Sequence, residues 1–150
     1  MISEATVRAA LAEVPDPEIP VVSVVDLGMV EDVQVSAERI RVELLPTFVG
    51  CPALDVIRDS VAERLGSFGR EVDVRFDYRV PWTTDRITLS GREKLRRSGF
   101  APPVDDAAAV RCPHCGSANV AMDNLFGSTQ CRSLYYCRAC RQPFEAFKRV

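Results

Sequence analysis

The sequence predicts an α+β protein in two parts. A helix-strand-strand-helix-strand domain spans residues 1–100, a linker spans 101–110, and a cysteine-clamped ribbon spans 111–150. Three observations predict this. Apolar residues recur at helical spacing in two early segments and alternate at strand spacing in others. Five of the six cysteines, Cys112, Cys115, Cys131, Cys137 and Cys140, crowd the C-terminal part, and Cys51 stands alone. Charge divides at the same place: residues 1–110 carry 13 Lys and Arg against 19 Asp and Glu, and residues 111–150 carry 6 against 2.

Each element has a local reason. Ser3 can cap a helix over 4–14, where Val7, Ala10, Leu11 and Val14 form one apolar stripe. Pro15, Pro17 and Pro20 stop it by removing donors and fixing φ. A strand follows near Met29–Val35, and Ile40-Arg41-Val42-Glu43-Leu44 alternates strictly. A second helix runs from about Pro52 to Gly66 with Leu54, Ile57, Val61 and Leu65 inward, and a third strand covers Val72–Tyr78. A third helix is expected from Thr84 to Ser98 on a thin stripe of Ile87 and Leu95. Together these make a small sheet with helices on one face. Pro102-Pro103 followed by small residues reads as the linker.

Composition excludes several classes of function. No apolar run approaches the roughly 18 residues of a membrane span. Glu4, Arg8 and Glu13 make the first residues amphipathic rather than a secretory signal, so a reducing cytoplasm is the expected compartment. A net charge of −2 argues against a general polyanion binder. Walker A, Rossmann and diiron Glu-x-x-His patterns are absent from the sequence, so phosphoryl transfer, hydride transfer and diiron oxygenation by this chain lack support.

The C-terminal cysteines carry the sharpest signal. Cys112-Pro113-His114-Cys115 and Cys137-Arg138-Ala139-Cys140 are two C-x2-C knuckles, and each presents two sulfurs on a tight turn. Two knuckles close a tetrahedron, which predicts structural zinc; an iron–sulfur cluster or redox-active dithiols are the alternatives. A β-hairpin with a long loop at Asp123–Thr129 fits between them. So short a unit has little core, so the metal is expected to supply much of its folding energy. His114 lies inside a complete knuckle and reads as a surface residue. Cys131 is surplus to the four, either packing or a further thiol open to a partner's metal.

Cys51 precedes Pro52, and proline favours the first helical position, which places Cys51 at the helix N-cap. Helix amides and dipole would there favour the thiolate, the form that binds metal. The alternative is a small buried hydrophobe. Asp16, Glu18 and Asp26 sit in proline-stiffened or glycine-flanked turns, either completing a metal site with Cys51 or capping turn amides.

Asp16-Pro17-Glu18-Ile19-Pro20, Asp26-Leu27-Gly28-Met29-Val30, Thr47 and Cys51-Pro52 resemble the domain shared by SufT-like iron–sulfur assembly proteins. With Pro81-Trp82-Thr83-Thr84-Asp85, Gly91–Leu95, Gly99–Pro103, the first knuckle, Phe126–Cys131 and the closing Pro143-Phe144, nearly the whole chain is similar to the PaaD (or PaaJ) family. These are small subunits encoded with phenylacetyl-CoA epoxidase complexes of aerobic phenylacetate degradation. The resemblance implies an accessory, non-catalytic role: metallocentre assembly, above all iron–sulfur insertion, in the oxygenase and reductase partner subunits. It also implies a transiently held iron–sulfur cluster, with Cys51 as functional thiol and Asp16, Glu18 and Asp26 as acidic loop residues. The competing reading is a zinc ribbon that binds nucleic acid or protein. Arg92, Lys94, Arg96 and Arg97 would contact phosphate, and Tyr135, Tyr136, Phe144 and Phe147 would stack on bases. The acidic first unit argues against nucleic acid.

Overall fold

The computed structural model describes residues 1–48 and 52–149, with residue 107 described by its backbone alone. The chain divides into two compact units, Met1–Thr88 and Leu89–Val150.

In the first unit, α1 spans Glu4–Leu11, and Ser3 Oγ accepts the Thr6 amide at 3.1 Å as its cap. The helix ends before residue 14 because the amides of Glu13 and Val14 turn back to Ala10 and Leu11, three residues away, ahead of Pro15. Strands β1 (Val30–Val35), β2 (Arg39–Leu44) and β3 (Glu71–Phe76) form one sheet in the order β1-β2-β3. β1 and β2 are antiparallel. β2 and β3 are parallel, from Arg39 opposite Glu71 to Leu44 opposite Phe76, and α2 (Ala53–Gly66) makes the crossover that a parallel pair needs. The period of two sends Ile40, Val42 and Leu44 into a core with Val7, Leu11, Ile57, Val61 and Leu65. The opposite face carries cross-strand ion pairs, Arg39–Glu71 at 3.0 Å and Arg41–Asp73 at 3.2 Å. Gly66 is the last residue of α2, and the left-handed position comes later, at Gly69.

The expected single helix over 84–98 is two pieces. Thr84–Arg86 forms one 3₁₀ turn and α3 spans Leu89–Arg97. Ile87 is extended and the Thr88 amide donates to Asp26 O at 2.9 Å, so the helical ladder is interrupted there. The division between units falls at the same point rather than at residue 100.

The second unit holds α3 and a sheet of β4 (Phe100–Ala101), β5 (Val120–Asn124), β6 (Arg132–Cys137) and β7 (Pro143–Phe147), in the order β4-β7-β6-β5. The hairpin expected between the knuckles is β5–β6. The segment expected as a linker over 101–110 is instead part of this unit. Ala101 pairs with Ala146, Val110 lies in the core with Tyr135, Phe144 and Ala146, and Arg92 Nη1 donates to Pro103 O at 2.9 Å. A short strand and a few anchoring apolar residues carry too little periodicity to reveal this. Among the described residues, no helix is long and apolar enough to cross a membrane.

Candidate metal centre and acidic loop

The ribbon brings four thiols together. The sulfurs of Cys112, Cys115, Cys137 and Cys140 all lie within 4.8 Å of one another. Cys112 and Cys140 Sγ are 3.7 Å apart, and Cys115 and Cys137 Sγ are 3.6 Å apart. A tetrahedral zinc with Zn–S bonds of about 2.3 Å requires S–S edges of about 3.8 Å. The donor set and its spacing therefore fit such an ion.

In each knuckle a backbone amide meets the first sulfur, from the residue two positions on in one and three positions on in the other. The His114 amide donates to Cys112 Sγ at 3.4 Å, and the Cys140 amide donates to Cys137 Sγ at 3.5 Å. Both knuckles then turn through a left-handed residue, Gly116 at φ 78° and Arg141 at φ 60°. The amide from Cys140 draws the Cys137 thiol down to about 7, while burial and the neighbouring thiols push Cys140 up to about 12. Four sulfurs so close resist ionising together unless a cation shares their charge.

Cys131 is not part of this group. It precedes β6, six residues from Cys137, or about 20 Å along the strand. It is buried, with its sulfur 3.1 Å from Thr129 Oγ1. His114 is exposed and outside the cluster. Of the four aromatic residues that base stacking would use, Tyr135, Phe144 and Phe147 are buried, and Tyr135 stacks on Phe144 at 5.5 Å. Arg96 and Arg97 both pair with Glu93. The nucleic-acid reading thus loses most of its rings to the core.

In the first unit, Asp16 and Asp26 are buried and hold turns. Asp16 Oδ2 accepts the amides of Glu18 and Ile19 at 3.1 and 2.8 Å. Asp26 Oδ2 accepts the Ser23 amide at 2.9 Å, and Ser23 Oγ accepts the Asp26 amide at 3.1 Å. Glu18 is half-buried. The same segment sends Ile19, Val22, Val24, Leu27 and Met29 into the core.

Sequence reasoning gave no structural role to a strap that fastens this loop. Trp82 is buried beside Phe48, with ring centroids 6.3 Å apart, and its Nε1 donates to Leu27 O. Arg86 Nε donates to Gly28 O at 2.8 Å and its Nη2 meets Glu31 at 2.8 Å. The chain's single tryptophan, beside Pro81, was the available signal. Cys51 and its expected N-cap position lie outside the described residues. The helix begins at Ala53 with Pro52 as its N-cap residue (φ −65°, ψ −18°), one position later than the sequence predicts, because the proline's fixed φ already suits the cap, and it brings no side-chain cap hydrogen bond.

Comparison with known proteins bears on both units. Residues 4–76 match the family described as iron–sulfur cluster assembly protein, and residues 100–148 match the PaaD zinc beta ribbon domain. A protein of Escherichia coli (strain K12), provisionally named as the D component of 1,2-phenylacetyl-CoA epoxidase, is 40% identical over 147 residues, which is 93% of this chain and 89% of that protein. Among solved structures, the domain of unknown function DUF59 from Bacillus anthracis superposes with a TM-score of 0.57 at 28% identity, over 61% of this chain and 90% of that one. A conserved hypothetical protein of Thermotoga maritima gives a TM-score of 0.54 at 29% identity, over 63% and 94%.

Proposed function

Since this chain belongs to the family of 1,2-phenylacetyl-CoA epoxidase D components, we propose that it is an accessory subunit that assists metallocentre assembly in its partners and catalyses nothing alone. Iron–sulfur insertion into a reductase subunit is the foremost task in this reading, with the oxygenase subunits as the further recipients. The observation that carries it is the joining, in one chain, of an iron–sulfur assembly domain to a four-thiol ribbon.

The two units divide the work. In the ribbon, Cys112, Cys115, Cys137 and Cys140 hold zinc, which supplies a structural cross-link when bound. In the first unit, Cys51 is the thiol that takes the iron–sulfur cargo, and the start of α2 favours its thiolate. Asp16 and Asp26 fix the acidic loop through its own amides, and Glu18 adds a third carboxylate there. Cys131 packs within the ribbon and takes no cargo. The cytoplasm, where thiols stay reduced, suits all of these roles.

The test is the iron and sulfide content of protein purified without oxygen, together with epoxidase activity in cells, for wild type and Cys51→Ala. The expected result is lost iron and sulfide and reduced partner activity, with a melting temperature close to wild type. Full partner activity and normal iron content in cells carrying only Cys51→Ala would overturn the assignment.

A further inference from the structure

A cleft of about 270 Å³ opens on the second unit. Buried Tyr135 and Ala146 line it together with Met122, Leu125, Lys148 and Arg149. Met122 is 47% exposed and Leu125 51%, and the adjoining Phe126 is 69% exposed with Lys148 Nζ 4.8 Å above its ring. Three large apolar side chains in five consecutive residues thus face solvent beside two cations.

The loop that displays them is held in place. A register shift between Met122 and Asn124 breaks the β5–β6 ladder, and Asn124 Oδ1 then accepts the Phe126 amide at 2.9 Å. The Gly127 amide donates to Arg132 O at 2.8 Å. Ser128 donates to Glu145 from both its amide and its hydroxyl, and Arg132, itself buried, meets Glu145 at 3.4 Å. A Cβ on Gly127 would come within 2.8 Å of Glu145 Oε2, so the backbone is drawn against that carboxylate. Asn124 and Ser128 spend their polar groups on tying the loop to itself and to Glu145, while the side chains of Leu125 and Phe126 stand exposed. Rigidly presented apolar groups of this kind serve as anchors for a partner.

We propose that this cleft docks a segment of a partner subunit in which one or two apolar side chains are flanked by carboxylates. The proposal rests on the accessory role above and supplies its contact surface. The volume suits a leucine or phenylalanine side chain. Charge sets the flanks: residues 89–150 carry 10 Lys and Arg against 5 Asp and Glu. At the rim with Lys148 and Arg149, Asp105 is the one acidic residue among the described lining residues; it pairs with Arg149 at 3.4 Å and is largely exposed. An incoming carboxylate can exchange with so open a pair.

The test uses the full metal-loaded chain and the purified oxygenase and reductase subunits of the epoxidase, with affinity read by calorimetry at several salt concentrations. Leu125→Ser and Phe126→Ser should each weaken binding to one of those subunits about 10-fold or more, the size of an anchor residue's effect. Lys148→Glu with Arg149→Glu should weaken it and flatten its salt dependence. Bound metal and circular dichroism should match wild type in every variant. Unchanged affinity in both sets would overturn the docking site and leave the accessory role standing. A wild-type chain that binds no subunit would overturn both. Loss of self-association or of duplex DNA binding in the variants, with subunit affinity unchanged, would assign the cleft to a second copy or to nucleic acid and overturn the proposal.

Discussion

Trp82 Nε1 donates a 2.7 Å hydrogen bond to the carbonyl of Leu27, and this bond joins the segment after β3 to the loop that carries Asp26. The indole is 4% exposed, so the carbonyl it satisfies has little access to water. Trp82→Phe keeps a ring beside Phe48 and removes the donor, and should cost about 1–3 kcal/mol. Trp82→Ala also removes the packing and should cost about 3–5 kcal/mol. Urea unfolding followed by circular dichroism reads both, because the chain has no second tryptophan to report by fluorescence. A Trp82→Phe variant as stable as wild type would show that the bond adds nothing.

Gly28 has φ 67°, and a Cβ there would lie 2.2 Å from the carbonyl oxygen of Arg86. That carbonyl is backbone, in a residue whose guanidinium is itself tied to Gly28 O, so it has little freedom to yield. Gly69 has φ 71° with nothing within 4 Å of the same position. Gly69→Ala should therefore cost only the left-handed strain, about 1–2 kcal/mol. Gly28→Ala should cost a further 1–3 kcal/mol or so for the steric clash. Equal melting temperatures for the two variants would mean that the strap moves aside freely.

The ribbon should hold one zinc per chain and release it as pH falls, because metal and protons compete for the same thiolates. Titrating the protein downward from pH 7 in the presence of a chromogenic zinc indicator follows the release. Cys112→Ser should lose the metal at neutral pH and melt the ribbon's strands, while the helices of the first unit persist by circular dichroism. Elemental analysis that found iron in place of zinc would count against the assignment.

Hydrogen bonds from Arg96, and then Arg97, hold the Glu93 carboxyl down to about 2, below its ordinary 4.5. A carboxyl lowered by folding stabilises the folded state above its unfolded value. This part of the stability is therefore present above pH 4.5 and is lost as pH falls towards 2. All three side chains are solvent-exposed, so the effect is small and salt-sensitive. Melting curves of wild type and Glu93→Gln should converge between pH 4.5 and 2 in low salt. Parallel curves over that range would remove the ion cluster from the stability of α3.

The elements legible in the sequence were those with strong periodicity. Ile40, Val42 and Leu44 alternate because one face of β2 is buried, and Leu54, Ile57, Val61 and Leu65 repeat because one stripe of α2 is. The four metal-site cysteines were legible because two knuckles need fixed spacing. The loop around Asp16 and Asp26 read as polar turns, yet Ile19, Val22, Val24, Leu27 and Met29 are core residues. Their spacing follows neither a helix nor a strand, since turns held by Asp16 and Asp26 set it. Ala101 and Val110 are not legible in the sequence for a related reason: each is one apolar residue among prolines and small residues, and only pairing with β7 or packing in the ribbon core gives it meaning.

The parallel pairing of Phe100 and Ala101 with Glu145 and Ala146 has a practical consequence for anyone isolating the ribbon. A fragment cut at residue 111 discards β4 and leaves the outer side of β7 as an uncovered sheet edge flanked by Phe144 and Phe147. Such an edge recruits strands from other molecules, and the fragment should precipitate even with its metal in place. A fragment beginning at Leu89 keeps that edge covered and should stay monomeric.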